Sequence, residues 1–119
     1  MKKRDVVKHS REFDHIINHK TFVKNKDFVI YYENKDDNKN RFGISVGKKI
    51  GNAVVRNYYK RVIRNICDKN KNLYSNGKDY IIIMRYGCKE KTFKEINESF
   101  ISLINKINKE KEKKHEKEI

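Results

Sequence analysis

Residues 41–64, RFGISVGKKIGNAVVRNYYKRVIR, change from a strand pattern to a helix pattern within one short segment. Residues 41–46 alternate well enough for a half-buried strand. Gly47 and Gly51 flank a stretch in which the backbone must turn or another group must approach it closely. Asn52 is a favourable N-cap, and a helical pattern follows it. The segment therefore predicts a strand, a turn and a helix in immediate succession.

A strand after this helix would complete a βαβ unit. Residues 79–85 are nearly all apolar, as in a strand that is covered on both faces. Together with the strand at 41–46 and the intervening helix, they predict a βαβ unit. General rules favour a right-handed crossover for such a unit.

The remaining segments predict further helices and strands. A helix is expected from Ser10 to about residue 20, and residues 27–33 have high strand propensity, with a possible short strand at 21–23. Thr92 and Glu95 match a capping box that opens a last helix. The order helix, two or three strands, helix, strand, helix implies an α+β fold. We expect a two-layer α/β sandwich with one small mixed sheet.

Length and composition predict one domain followed by a tail. The 119 residues suit a single domain, which we place at residues 1–107. Residues 108–119 are rich in Lys and Glu and basic overall. They contain too few apolar side chains to pack, so we expect this C-terminal tail to fray.

The chain is strongly basic. Its formal net charge is +14 at pH 7, a balance that indicates nucleic acid or an anionic membrane surface as a partner. No apolar run approaches the roughly 20 residues needed to span a bilayer. No apolar core follows the basic N-terminus, so no secretory signal is visible. We therefore expect a cytoplasmic protein without a membrane partner.

The helix after Asn52 carries its positive charge on one side. Arg56, Lys60 and Arg64 are spaced i, i+4, i+8 opposite an apolar face, and Asn57 and Arg61 lie beside them. A basic helix face can simply be solvated, but such faces usually interleave Glu or Asp with the cations. No carboxylate occurs between residues 41 and 64. The pattern therefore favours a surface that binds a polyanion.

No catalytic or metal-binding constellation can be argued from the residues. Cys67 and Cys88 form no CxxC pair, and we interpret them as reduced structural residues. His15 and His19 have a spacing that can hold a metal, but no third ligand is evident. We predict no catalytic residue in this chain and no metal bound by its side chains alone.

One run of residues resembles the signature of a known family. Gly51-Asn52-Ala53-Val54, Arg56-Asn57, Lys60-Arg61 and Arg64 are similar to the signature of the bacterial ribonuclease P protein subunit. The resemblance covers roughly residues 2–107. It departs from the family at Tyr58, where an arginine is usual. It implies the order αβββαβα with a left-handed crossover, and we follow it over the general rule.

The resemblance also implies a function. In this family the catalytic component is an RNA, and the holoenzyme removes the 5′ leader from precursor tRNA. The implied partners are the catalytic RNA and precursor tRNA, with no obligate protein partner. Mg²⁺ would be used through the RNA.

Site residues follow from the same resemblance. Residues implied to bind the RNA subunit are Lys48, Lys49, Arg56, Asn57, Lys60, Arg61 and Arg64. Residues implied to line a cleft for the single-stranded leader are Phe13, Ile17, Phe28 and Tyr31. Ile17 stands where an aromatic residue is common, and an isoleucine cannot stack on a base. Core packing is the competing interpretation for Phe13, and burial is the competing one for Tyr31.

Two other function classes stay open at this point. A general RNA-binding or ribosome-associated protein could use the same basic helix without any role in tRNA maturation. A stand-alone nuclease would need acidic residues to hold Mg²⁺. The acidic residues here are scattered over expected surface and tail positions, so a stand-alone nuclease ranks last.

Overall fold

A computed structural model describes most of the chain. It covers residues 6–7, 10–18, 21–35, 39–74 and 77–117, without the side chains at 10, 12, 13 and 110–117. Within these residues the helices and strands are, in order, α1 (Ser10–Asn18), β1 (Phe22–Lys24), β2 (Phe28–Asn34), β3 (Arg41–Val46), α2 (Ala53–Lys69), β4 (Lys78–Met84) and α3 (Phe93–Lys117). The predicted α+β class and the order αβββαβα are confirmed.

The strands form one mixed sheet in the order β1-β2-β4-β3. β1 and β2 are antiparallel, as are β2 and β4, whereas β3 and β4 are parallel with Ile44 opposite Ile82. Because α2 connects these two parallel neighbours, the predicted βαβ unit is confirmed. The left-handed crossover stays a prediction.

The larger core lies on one face of the sheet, under α2 and α3. Phe28 and Ile30 of β2 and Tyr80 of β4 have no exposed surface on this face. Ile63 of α2 and Phe100 of α3 are also fully buried and belong to the same cluster. The sheet with α2 and α3 thus provides the two packed layers.

α1 packs on the opposite face of the sheet and covers only part of it. Ile16 of α1 and Ile81 of β4 are buried there, with Ile17, Tyr31 and Ile83 partly buried around them. Ile81 and its neighbour on the other face, Ile82, are both fully buried. This explains why β4 reads as a continuous apolar run, because both of its faces are covered.

Local signals start two helices where they were predicted. The Oδ1 atom of Asn52 accepts a hydrogen bond from the backbone N–H of Val55 at 3.1 Å. At the start of α3, Thr92 Oγ1 accepts from the Glu95 N–H at 3.2 Å, and Glu95 Oε1 accepts from the Thr92 N–H at 3.1 Å. This reciprocal pair is the predicted capping box.

α3 extends past the predicted domain limit. The helix is continuous to Lys117, so residues beyond 107 take helical backbone conformation. Fraying of this tail stays a prediction. None of the helices in the described part of the chain combines the length and apolar character required to cross a membrane.

Candidate nucleic-acid interface

α2 presents a basic surface away from the core. Its buried side is formed by Tyr59, Ile63, Ile66 and Cys67. On its other side Asn57, Arg61 and Arg64 are exposed, and Arg56 and Lys60 are half-buried. Tyr58 is 57% exposed and packs edge-on against the Tyr59 ring. The residue that replaces the family's usual arginine is therefore at the surface and not in the core.

The cations of this surface are not neutralised within the described part of the chain. No carboxylate there forms an ion pair with Lys48, Lys49, Arg56, Lys60, Arg61 or Arg64. The Nε atom of Arg56 is buried and has no hydrogen-bond partner. Elsewhere carboxylates do pair, since Asp79 contacts Lys35 and Arg41, each at 2.8 Å. The positive charge on α2 is thus available to an anionic partner.

Lys48 and Lys49 project from a short 3-10 turn, Lys48–Ile50, between β3 and α2. Both lysines are exposed, whereas Ile50 is buried and anchors the turn to the core. A Cβ atom at Gly51 would lie 2.8 Å from Val55 Cγ1, closer than carbon atoms normally approach. The glycine therefore lets this turn run directly into α2.

The sheet face that carries α1 is apolar and partly open. Phe22 of β1 pairs with Tyr31 of β2 in the sheet register, and their ring centroids are 5.2 Å apart. Phe22 is 43% exposed, and Tyr31, Ile17 and Ile83 are partly buried in one cluster. The structure thus places Ile17 and Tyr31 against the same cluster, and their role in leader binding stays a prediction. Phe22 was not among the predicted cleft residues, although alternation along the strand places Phe22 and Val23 on opposite faces of the sheet.

Phe28 does not belong to this open face. Its side chain is fully buried on the core side and contacts the Phe100 ring edge-on at a centroid distance of 6.0 Å. Alternation along β2 turns Phe28 away from Tyr31. The prediction that Phe28 lines the leader cleft was therefore wrong. The side chain of Phe13 lies outside the described residues, so its predicted place in the cleft stays a prediction.

A groove connects the apolar sheet face with the basic turn. It has a volume of about 600 Å³, and Ile83 of the sheet-face cluster forms part of its wall. The described lining residues are Ser45, Gly47, Lys48, Lys49, Ile50, Ile83, Met84, Arg85 and Tyr86. None of these is acidic. The aromatic cluster and the lysines of the turn are therefore adjacent parts of one surface.

The other end of the same face is closed by a polar cluster. A smaller cavity of about 280 Å³ lies there between α1 and the sheet. His15 Nε2 lies 2.9 Å from Glu33 Oε1, and the Asp79 carboxylate holds Arg41. The acidic side chains at this end are paired within the protein. The contact between His15 and Glu33 joins α1 to β2, and the pair of Asp79 with Arg41 joins β4 to β3.

The described residues offer neither a metal-binding cluster nor a reactive thiol. They include no cluster of three or more His, Cys, Asp or Glu side chains that could hold a metal ion. Burial raises the pKa of the Cys67 thiol to about 12 and that of Cys88 to about 11. Both thiols are therefore protonated at neutral pH and unsuited to act as nucleophiles.

Comparisons with known proteins agree on one family. A family model described as Ribonuclease P matches residues 1–108. The ribonuclease P protein component of Mycoplasma mycoides is 45% identical over 108 residues, covering 90% of this chain and 99% of that protein. The component from Bacillus cereus is 41% identical over 105 residues, covering 87% and 91%.

Solved structures agree with the sequence comparisons. The RNase P protein of Staphylococcus aureus is 35% identical with a TM-score of 0.77, covering 85% of this chain and 93% of that one. The RNase P protein of Thermotoga maritima is 27% identical with a TM-score of 0.80, covering 87% and 97%. The similarity extends over almost the whole length of each relative.

Proposed function

The chain belongs to the ribonuclease P protein family, and on that basis we propose that it assists removal of the 5′ leader from precursor tRNA as the protein subunit of the holoenzyme. The observation that carries the proposal is the juxtaposition of two surfaces. A basic turn, which leads into a helix whose cations pair with no carboxylate in the described part of the chain, borders the groove beside an open sheet face with aromatic side chains. The first surface suits a folded RNA, and the second suits a single strand.

In this proposal the chemistry belongs to the RNA subunit. The catalytic centre and its Mg²⁺ ions would lie in the RNA, and the protein would contribute positioning and positive charge. Cations beside two RNA molecules reduce their mutual repulsion and lower the Mg²⁺ concentration needed to hold them together. The expected partners are the catalytic RNA and precursor tRNA in the cytoplasm, with no membrane and no obligate protein partner.

The catalytic RNA would dock on α2 and the preceding turn. Arg56, Lys60 and Arg64 lie along one line of the helix and pair with no carboxylate among the residues that the structure describes. Asn57 adds an exposed amide that can both donate and accept. The remaining members of the docking surface are Lys48, Lys49 and Arg61.

The leader would bind on the open sheet face. Tyr31 and its neighbour Phe22 provide aromatic surface for bases, and Ile17 provides apolar contact without stacking. Phe13 remains a proposed member of the cleft through the family resemblance. Stacking on aromatic rings has little sequence preference, which suits a substrate whose leader sequence varies.

Cleavage of precursor tRNA by a ribonuclease P RNA at low Mg²⁺, with and without the protein, tests this proposal. We expect the protein to restore cleavage while showing none by itself. Binding to the RNA without any change in its activity would instead indicate a general RNA-binding protein. Cleavage by the protein alone would indicate a stand-alone nuclease.

A further inference from the structure

Tyr86 is an exposed aromatic residue at the end of the groove that leads away from Tyr31. It immediately follows Arg85 at the end of β4 and is 66% exposed. Of the large hydrophobic side chains described as exposed, it is more exposed than the aromatic residues Phe22, Tyr58 and Phe93. An aromatic side chain with such a large exposed fraction is a candidate for a binding contact.

The backbone around Tyr86 is firmly held. Tyr86 opens a short 3-10 turn, Tyr86–Cys88, that is anchored by the fully buried Cys88. The N–H of Arg85 donates to the Asp27 carbonyl at 2.8 Å, and its guanidinium donates to the Asn25 carbonyl at 2.8 Å. A Cβ at Gly87 would approach the Lys26 carbonyl oxygen to 2.4 Å, so the turn packs directly against the neighbouring loop.

The surroundings of Tyr86 suit a nucleotide. The groove has an apolar wall at Ile83, and the exposed Lys48 and Lys49 stand along it with no ion-pair partner in the described part of the chain. Lys89 Nζ lies 5.6 Å from the centroid of the Tyr86 ring. A flat apolar ring beside several cations is the combination that binds the base and the phosphate of a single strand.

We propose that Tyr86 is a second stacking site for a base of the single-stranded leader, separate from the site at Tyr31. The inference rests on the proposed function, because it takes the leader as the strand in the groove. Tyr86 acts as a positioning residue: it fixes the path of the leader across the sheet and takes no part in cleavage. In this inference Lys48 and Lys49, which border both the RNA-docking surface and the groove, also neutralise phosphates of the leader strand.

The sheet register limits the distance between the two sites. Tyr31 pairs with Ile81, and Tyr86 lies five residues beyond Ile81 in the chain. At a rise of roughly 3.3 Å per strand residue, and with about 5 Å between paired strands, the Cα atoms of Tyr31 and Tyr86 are at most about 21 Å apart. At an axial rise of roughly 3.4 Å per nucleotide of a stacked strand, this corresponds to about six nucleotides at most.

The experiment measures the affinity of the holoenzyme for precursor tRNA whose leader carries a single abasic site, moved one position at a time. With an intact leader, Tyr86→Ala should weaken binding by about 5- to 150-fold, the range for loss of one aromatic stack. Tyr86→Phe should bind like the unaltered protein, and Tyr86→Leu should bind like the alanine variant. Mature tRNA should bind all of them equally.

The abasic scan assigns the stacked base. At one leader position the abasic site and Tyr86→Ala should cause no more loss together than either alone, because both remove the same contact. A different position, within about six nucleotides, should behave in this way with Tyr31→Ala. Coupling of Tyr31 without any coupling of Tyr86 would overturn the inference alone. If the holoenzyme with the unaltered protein binds precursor tRNA and mature tRNA equally well, the proposed function is overturned too.

A matched control is available on another surface. Phe93 is 42% exposed and also has a lysine near its ring, with Lys69 Nζ 5.5 Å from the centroid. Phe93→Ala should leave leader affinity unchanged. Loss of binding to the catalytic RNA in the absence of substrate, if caused by Tyr86→Ala, would place Tyr86 in the RNA-docking surface and overturn the inference.

Discussion

Removal of three cations from α2 should weaken assembly with the catalytic RNA and leave the protein's own stability nearly unchanged. Arg56, Lys60 and Arg64 lie along one line of the helix, and none of them pairs with a carboxylate in the described part of the chain. The triple substitution to alanine therefore breaks no ion pair among the described residues. The free energy of unfolding should change by less than about 1 kcal/mol.

The salt dependence of binding sets the size of the effect. Each neutralised phosphate contributes about 0.7–0.9 to the slope of log affinity against log salt concentration. Three lost contacts should therefore reduce the slope by about 2.1–2.7. Between 50 and 200 mM salt, the affinity advantage of the unaltered protein over the triple variant should shrink by about 20- to 40-fold.

The assay is filter binding of the catalytic RNA over this salt range. The control variant replaces Lys94, Lys106 and Lys109 of α3, which are exposed, and removes the same charge from another helix. Its salt slope should match that of the unaltered protein. Equal slopes for the α2 variant and the unaltered protein would refute the docking surface. Equal losses for both variants would show that net charge alone governs binding.

Three further predictions concern the sheet. Tyr31→Ala should weaken binding of precursor tRNA and not of mature tRNA; equal losses for both would remove Tyr31 from the leader cleft. Phe28→Ala should instead lower the free energy of unfolding by about 3–5 kcal/mol in denaturant titrations, because it empties a buried site; lost leader binding at full stability would contradict this. Burial raises the pKa of Asp27, but hydrogen bonds from Lys91 and Ser99 and the Lys91 charge lower it overall. Its carboxylate therefore stabilises the fold above pH of about 4 and loses this effect as the pH falls further. Asp27→Asn should lower the free energy of unfolding by about 1–3 kcal/mol at pH 7 and by much less near pH 2, which melting temperatures at the two pH values would show. Equal losses of stability at both pH values would contradict the ion pair.

Short-range patterns predicted the elements of this fold. The Asn52 cap and the Thr92–Glu95 capping box act within one helical turn, and both are present as predicted. The wheel of α2 likewise separated the buried Tyr59 and Ile66 from the exposed Arg64. Such signals can be read from the chain because the atoms that interact are close in sequence.

The choice of which surface stays open is a matter of long-range packing. Alternation along β2 puts Phe28 and Tyr31 on opposite faces of the sheet, and nothing local tells which face α3 will cover. Phe22 lies in a short edge strand, and Tyr86 lies in a connecting turn beside the groove. Their exposure depends on which parts of the sheet the helices cover.

The charge pattern, the helices, the strands and the βαβ unit thus follow from the chain itself, because periodicity and capping are properties of neighbouring residues. The burial of Phe28 and the meeting of Ile17, Phe22 and Tyr31 follow only from the tertiary structure. So does the groove between Ile83 and Tyr86. These features depend on contacts between residues far apart in sequence, whose free energies are decided by the packing of the whole domain.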